Sequence, residues 1–321
     1  MKVAVAICTW NRARLLDQTL AAMCQLTIPP GVTWELLVVN NNCTDETDAV
    51  IARYASRLPI RRLFEPTPGL SHARNCAVAI AEGDLLLWTD DDVLVDPNWL
   101  AEYARAAAEH PGMSFFGGTV DPWFQSKPPR WIEQNIAVFA SPFAIRQPGL
   151  AIRPMRADEG PFGASMGFRM PVAKQFAFNP KLGRVKDSLL SDDDADVIQR
   201  LRAAGHEGLW VGTARVRHYI GPDRVNAMYL RKWFFDNGRS QVRMDGIDGG
   251  FRWLGDTPLF AVKALWFARA RRLLLWPWKN RTWARAYRDV PFYRGKIVEA
   301  RAFRRLARSN QGVQPKAFPT G

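Results

Sequence analysis

The run Leu85-Leu86-Leu87-Trp88-Thr89-Asp90-Asp91-Asp92 constrains this chain more than any other segment. An apolar run this short reads as a buried strand, and three carboxylates stand where it ends. Adjacent acids repel one another, and burying them unpaired costs several kcal/mol. A cation is therefore expected beside them. A divalent metal carrying a phosphate-bearing ligand suits hard oxygen donors at the carboxyl end of a parallel strand. The competing reading is a solvated acidic turn, since Asp96-Pro97-Asn98 follows and would start a helix.

Around this run, strands and helices alternate. Strands are expected at 3–8, 34–39, 60–64 and 84–89, and helices at 14–24, 45–57, 70–81 and 96–109. This rhythm implies a mostly parallel sheet with helices on both faces. From 113 to 186 the pattern loosens into Pro, Gly and aromatic residues, as in Pro128-Pro129-Arg130-Trp131 and Gly160-Pro161-Phe162-Gly163, and reads as loops that bind a ligand or shield a site. A helix at 192–204, a strand at 210–218 and a helix at 229–244 follow. With 47% hydrophobic residues in 321, the chain can bury a sizeable core. The four cysteines, Cys8, Cys24, Cys43 and Cys76, match no metal or redox spacing and read as reduced, mostly buried thiols. No signal peptide precedes the first strand and no run of 18 apolar residues exists, so a cytoplasmic protein is expected.

The net charge of +13 is unevenly placed. Residues 252–321 carry 16 Lys and Arg against 3 Asp and Glu, whereas the preceding 251 residues balance. Five of the 13 tryptophans, Trp253, Trp266, Trp276, Trp278 and Trp283, lie in the same stretch. Basic and apolar residues interleave from Pro258 to Trp278, which suits an interfacial helix on an anionic leaflet. Packing onto the rest of the chain and nucleic-acid binding are the alternatives, and nucleic acid is the least expected.

Further segments carry chemistry. Gly69-Leu70-Ser71-His72-Ala73-Arg74-Asn75 places an arginine on a helix N-terminus, a suitable seat for a diphosphate. Ser191-Asp192-Asp193-Asp194-Ala195-Asp196 is a second acidic cluster. One Asp would suffice to cap a helix, and four acids in five positions are better explained by a charged site. Neighbouring carboxylates raise one another's pKa, which suits a general base. Asp194 is the first choice for that base and Asp193 the second. His218, in Arg215-Val216-Arg217-His218-Tyr219, is either structural or a ligand.

Taken in order, Ala6-Ile7-Cys8-Thr9-Trp10-Asn11-Arg12, Val38-Val39-Asn40-Asn41-Asn42-Cys43-Thr44-Asp45, Gly69 to Asn75, Asp90-Asp91-Asp92, Gly163-Ala164-Ser165-Met166-Gly167-Phe168-Arg169, Phe178-Asn179-Pro180-Lys181-Leu182-Gly183 and the second acidic cluster resemble family 2 glycosyltransferases of the bacterial polysaccharide and glycolipid-assembly type. The resemblance implies a GT-A fold, a Rossmann-like mostly parallel sheet flanked by helices. It covers a catalytic domain at 1–245, with a nucleotide-binding half at 1–110 and an acceptor half at 111–245. Residues 246–321 form a basic, Trp-rich helical extension.

The same resemblance implies that Thr9, Trp10, Asn11, Asn41, Arg74, Asn75, Asp90 and Asp91 bind a nucleotide-sugar. Asp92, Asp90 and His218 would hold Mg2+ or Mn2+, and Gly163, Ala164 and Trp131 would meet the acceptor. The family's usual acidic pair is replaced by Asn40 and Asn41, whose amides both accept and donate. The expected activity is metal-dependent, inverting transfer from a UDP-linked sugar to a glycan or lipid-linked acceptor at the inner face of the cell membrane. A sugar-nucleotide pyrophosphorylase would carry a Gly-rich loop after the first strand, where this chain has Thr9-Trp10-Asn11-Arg12. A non-catalytic basic module would leave both acidic clusters unexplained.

Overall fold

A computed structural model describes residues 1–186, 188–246 and 252–311. Of the expected extension at 246–321, residues 247–251 and 312–321 lie outside them. The chain divides into two units, Met1–Pro129 with Phe139–Asn226, and Arg130–Val138 with the residues from Ala227 on.

The first unit is built on one mixed sheet. In chain order it contains β1 (Lys2–Thr9), α1 (Ala13–Met23), β2 (Thr33–Asn40), α2 (Thr47–Tyr54), β3 (Ile60–Phe64), α3 (Leu70–Ile80), β4 (Leu85–Asp90), β5 (Val93–Val95) and α4 (Trp99–Glu109). β6 (Phe115–Phe124), β7 (Ile152–Pro154), β8 (Met166–Arg169), α5 (Met170–Gln175), α6 (Asp193–Ala203) and β9 (Gly208–Ile220) complete it. The strand order is β3-β2-β1-β4-β8-β6-β9-β5, with β7 also on β9. The half β3-β2-β1-β4 is wholly parallel. β8 then runs antiparallel to both β4 and β6, while β6 and β9 pair in parallel.

β4 is apolar throughout because both its faces are covered. Leu85 and Leu87 join the core beneath α1, α2 and α4, where Leu16, Leu20, Ile51, Trp99 and Tyr103 are buried. Leu86 and Trp88 join the core beneath α3, α5 and α6, with Ala73, Ala77, Val172 and Ile198. The parallel register sets Cys8 beside Asp90 and Thr9 beside Asn40, so β1, β2 and β4 end together. The Asp triplet starts at that common edge.

The stretch expected to be loops holds three strands, β6, β7 and β8. β6 contains Gly117, Gly118 and Pro122, which weaken the local strand signal. The glycines answer to close packing: a Cβ at Gly117 would lie 2.6 Å from the Trp210 ring, and one at Gly118 would lie 2.3 Å from the Ala214 carbonyl oxygen. All four cysteines are free and only partly buried, less enclosed than expected.

The second unit is helical. It contains α7 (Arg130–Glu133), α8 (Ala227–Asp245), α9 (Leu259–Leu274) and α10 (Arg281–Gln311), with a two-stranded ribbon of Trp253–Leu254 and Thr257–Pro258. α8 and α10 meet at paired glycines: a Cβ at Gly238 or Gly295 would come within 2.0 Å of the Phe292 or Phe235 carbonyl oxygen, respectively. Glu299 of α10 accepts hydrogen bonds from Arg239 (2.8 Å) and Arg243 (2.6 Å) of α8. Ala261, Leu265 and Ala268 of α9 pack with Val290 and Ile297 of α10. Trp283 is buried, whereas Trp266, Trp276 and Trp278 are exposed. Among the described residues, no helix is long and apolar enough to cross a membrane.

Candidate active site

The three acids that end β4 have different surroundings. The Asp90 side chain keeps 34% exposure, while Asp91 and Asp92 are buried in the turn before β5. The expected cations are present as arginines. Arg12, in the loop after β1, donates through Nη1 to Asp91 (3.0 Å) and to Asp92 Oδ2 (2.9 Å). Arg224, in the loop after β9, donates to the same Asp92 oxygen at 3.1 Å. Burial pushes the Asp91 carboxyl up, with Arg12 opposing and Asp92 adding to the rise. Burial works the same way on Asp92, but His218, Arg12 and Arg224 beside it hold it well below the usual carboxylate range.

One oxygen of this cluster lacks a hydrogen-bond partner. Asp92 Oδ1 is buried without a hydrogen bond and lies 3.4 Å from His218 Nε2. The other ring nitrogen of His218 is 2.9 Å from the Phe143 carbonyl oxygen. Donation from Nδ1–H to that carbonyl leaves the Nε2 lone pair facing Asp92, the arrangement that suits a metal-binding imidazole. Ligand atoms of Asp90, Asp92 and His218 all lie within 4.8 Å of one another. Two carboxylates and an imidazole fit Mn2+ or Mg2+ by donor chemistry, and the orphaned oxygen gives the fit a specific place.

The second acidic cluster opens α6, with Asp192 left-handed at φ +70°. Asp193 is buried against Arg74 of α3, whose Nη1 donates to it at 2.5 Å. The Arg74 guanidinium lies over the Trp88 and Phe178 rings, and its Nη2 reaches to 4.0 Å from Asp90. Burial alone would lower its pKa, but Asp193, Asp90 and Asp194 raise it and keep it charged. One buried cation therefore joins the two clusters. Asp194 accepts hydrogen bonds from the Gly163 amide (3.2 Å) and the Ala195 amide (2.8 Å). Burial first, and then Asp193, push its carboxyl up to about 6, with Arg74 opposing. Asp196 pairs instead with Arg200 one turn along α6.

The other expected residues divide into two sets. Thr9 is buried at the end of β1, Trp10 is exposed beside it, and Asn11 at φ +52° accepts the Thr44 amide at 2.7 Å. Gly163 and Ala164 lie against the clusters, with Ala164 accepting the Thr89 hydroxyl at 2.9 Å. Asn41 braces a loop: its Nδ2 donates to the carbonyls of Glu65 and Thr67, and its oxygen accepts the Gly69 amide. With both amide hydrogens engaged, it can offer a base only an oxygen lone pair. Asn75 clamps the backbone of Phe178 through both ends of its amide, because it lies on the buried flank of α3. Trp131 belongs to the helical unit and is packed on Trp283 (5.8 Å) and Tyr287 (5.3 Å). Sequence reasoning offers Arg224, with Arg231 and Arg239, only as a phosphate contact or a surface charge, and it does not single out Arg12; three adjacent acids that must be neutralised are the signal that calls for such arginines.

Comparison with known proteins agrees with this geometry. The sequence profile described as Glycosyl transferase family 2 matches residues 4–174, more than half of the chain, ending before the second cluster. The succinoglycan biosynthesis protein ExoM of Rhizobium meliloti (strain 1021) is 27% identical over 258 residues, which cover 76% of this chain and 75% of ExoM. Validoxylamine A glucosyltransferase of Streptomyces hygroscopicus subsp. limoneus is 33% identical over 108 residues, 33% of this chain and 24% of that protein. Among solved structures, the mannosyltransferase PcManGT from Pyrobaculum calidifontis, in complex with GDP-Man and Mn2+, superposes with a TM-score of 0.53 at 18% identity, covering 98% of this chain and 81% of that one. S. aureus TarS in complex with UDP gives 0.51 at 16% identity, covering 100% and 94%. At these identities the structural likeness speaks to the fold.

Gly163 tests how tightly the two clusters are fitted together. A Cβ there would lie 1.8 Å from Arg74 Nη2. Gly163→Ala is expected to displace the guanidinium and to cost about 1–3 kcal/mol, as overpacking does, read from the denaturant midpoint. An unchanged midpoint would show that Arg74 is free to move.

Proposed function

The chain belongs to glycosyl transferase family 2 and has the GT-A fold of a nucleotide-sugar glycosyltransferase; on that premise we propose that it transfers a sugar, with inversion, from a UDP-linked donor to a hydroxyl of a glycan or lipid-linked acceptor. The observation that carries this reading is the pair Asp193–Asp194 standing against Arg74. Asp193 is neutralised by the guanidinium, and Asp194 is left as a half-buried carboxylate whose pKa is pushed up to about 6. A carboxylate of that pKa is mostly ionised near neutrality and still basic enough to take the acceptor proton as its oxygen attacks the anomeric carbon. A single such base favours a single displacement, hence inversion.

On the donor side, Thr9, Trp10 and Asn11 would line the nucleobase site, with the oxygen of Asn41 accepting the uracil imide hydrogen. UDP is also bound by TarS, which shares the fold. Asp90 would meet the ribose, and Asp90, Asp92 and His218 would hold Mg2+ or Mn2+, as Mn2+ accompanies GDP-Man in PcManGT. The metal would neutralise the charge that develops on the departing diphosphate. Arg12 opposes the effect of burial on Asp91 and Asp92 and holds both in place. Gly163 and Ala164 would leave room for the acceptor next to Asp194. In this reading residues 1–110 are the donor half, 111–245 the acceptor half, and 246–321 an extension.

The extension would contact an anionic membrane surface. Trp266, Phe267, Leu273, Leu274, Trp276 and Trp278 are exposed, and Lys263, Arg269, Arg271 and Arg272 are interleaved with them. Apolar rings beside cations suit the boundary between headgroups and acyl chains. The setting would be surface polysaccharide or glycolipid assembly at the cytoplasmic face, a role consistent with the name of ExoM.

Asp194→Asn is expected to lower kcat/KM by about 10²–10⁴-fold, the usual worth of a general base. The wild-type rate should fall as pH drops through about 6. The stability effect has the opposite sign. Because the folded-state value of about 6 lies above the ordinary 3.8, the folded chain retains the proton between these limits and loses stability as pH rises through them. Asp194→Asn should therefore melt higher than wild type at pH 7.5, with the gap closing near pH 4. Full transfer activity in the variant would overturn the assignment of the base. For the extension, co-sedimentation with vesicles of phosphatidylglycerol and phosphatidylcholine should be lost in Trp276→Ser/Trp278→Ser; equal pelleting of both proteins would remove the membrane role.

A further inference from the structure

Arg224 stands where the proposed metal would be felt most strongly. Its Nη2 donates to Asp92 Oδ2 at 3.1 Å, and its Nη1 lies 3.4 Å from His218 Nε2. The residue is buried, with 7% exposure. The same guanidinium thus touches two of the three groups in the candidate metal site, including the imidazole nitrogen whose lone pair a metal would need. Arg12 contacts Asp91 and Asp92 but has no such contact with His218. The two arginines therefore differ: Arg12 neutralises carboxylates, and Arg224 also fills the coordination position of a cation.

We propose that Arg224 is a stand-in counter-ion that the metal displaces, and that the diphosphate of the incoming nucleotide receives the displaced guanidinium. The inference rests on reading Asp90, Asp92 and His218 as the metal site. Two cations cannot share the His218 lone pair, so metal binding must break the Arg224–His218 contact. A buried guanidinium released from one acceptor needs another, and a phosphate oxygen pair matches its fork. Arg224 lies on the short connection between β9 and α8, four residues beyond Ile220, where side-chain and loop rotation are less constrained than inside a strand. Metal alone would then bind against Arg224, whereas metal with diphosphate would bind with its help. Coupling of this kind is reciprocal: what nucleotide does for the metal, the metal does for nucleotide.

The test is calorimetry with Mn2+ alone, and with UDP at saturating Mn2+, on wild type, Arg224→Gln, Arg224→Lys and Asp92→Asn. Arg224→Gln should bind Mn2+ alone about tenfold more tightly than wild type and bind UDP about tenfold more weakly, a size typical of coupled sites. Arg224→Lys keeps the charge but loses the second contact of the fork, and should bind Mn2+ alone about threefold more tightly. A residue that merely held the loop together would not strengthen one ligand while weakening the other. If Asp92→Asn abolishes Mn2+ binding while both Arg224 variants bind it no more tightly than wild type, the metal site stands and the exchange is overturned. If no protein binds Mn2+ with or without UDP, the metal site itself falls, and the exchange with it.

Discussion

Arg74 is the constraint on which the rest of this site depends. Acids from β4 and from α6 converge on one region, and bringing like charges together in a buried place is costly unless cations intervene. Arg74 is buried between them, hydrogen-bonded to Asp193, within 4.0 Å of Asp90 and stacked on Trp88 and Phe178. Its aromatic bed explains why an arginine serves here: a planar guanidinium can lie against ring faces while its edge pairs with carboxylates. Neutralising Asp193 separates the roles of two neighbouring acids. Asp193 is tied up, and Asp194 is left with a raised pKa.

The first cluster is balanced in a different way. Asp91 and Asp92 share Arg12, and Asp92 has Arg224 as well, yet one oxygen of Asp92 is left without a hydrogen bond beside His218. The parallel strands account for the position: β1, β2 and β4 end in register, so the loops that follow them surround one edge of the sheet. Sites in open α/β sheets gather at such carboxyl ends. Local backbone geometry supports this arrangement, as Asn41 and Asn75 spend their amides on holding loops that flank the edge.

Much of this was legible in the sequence. The alternation of short apolar runs with helical stretches located β1 to β4 and α1 to α4, and the buried run before Asp90 marked the site. What was not legible depended on contacts distant in sequence. β6 looks like a loop because Gly117, Gly118 and Pro122 weaken its local signal, and only Trp210 and Ala214 nearly a hundred residues later require the glycines. The motif around Asn75 gave no sign that its amide holds the backbone of Phe178, 103 residues away. Arg12 and Arg224 flank Asp92 from loops more than 200 residues apart in sequence, which no local pattern reveals. For the basic C-terminal stretch the sequence left interfacial binding and packing as alternatives, and part of it packs: Trp283 is buried, Arg304 stacks on Trp253, and Arg304, Arg305 and Arg308 surround Asp256. Exposed rings concentrate at α9 and the turn after it.

The central claim is that the carboxylates ending β4 form a metal-assisted nucleotide site. Calorimetric titration of UDP into wild type and Asp92→Ala, each with Mn2+ and with EDTA, tests it most directly. The account predicts binding to wild type that requires Mn2+ and disappears in Asp92→Ala. Equal binding in EDTA, or binding retained by the variant, would contradict it.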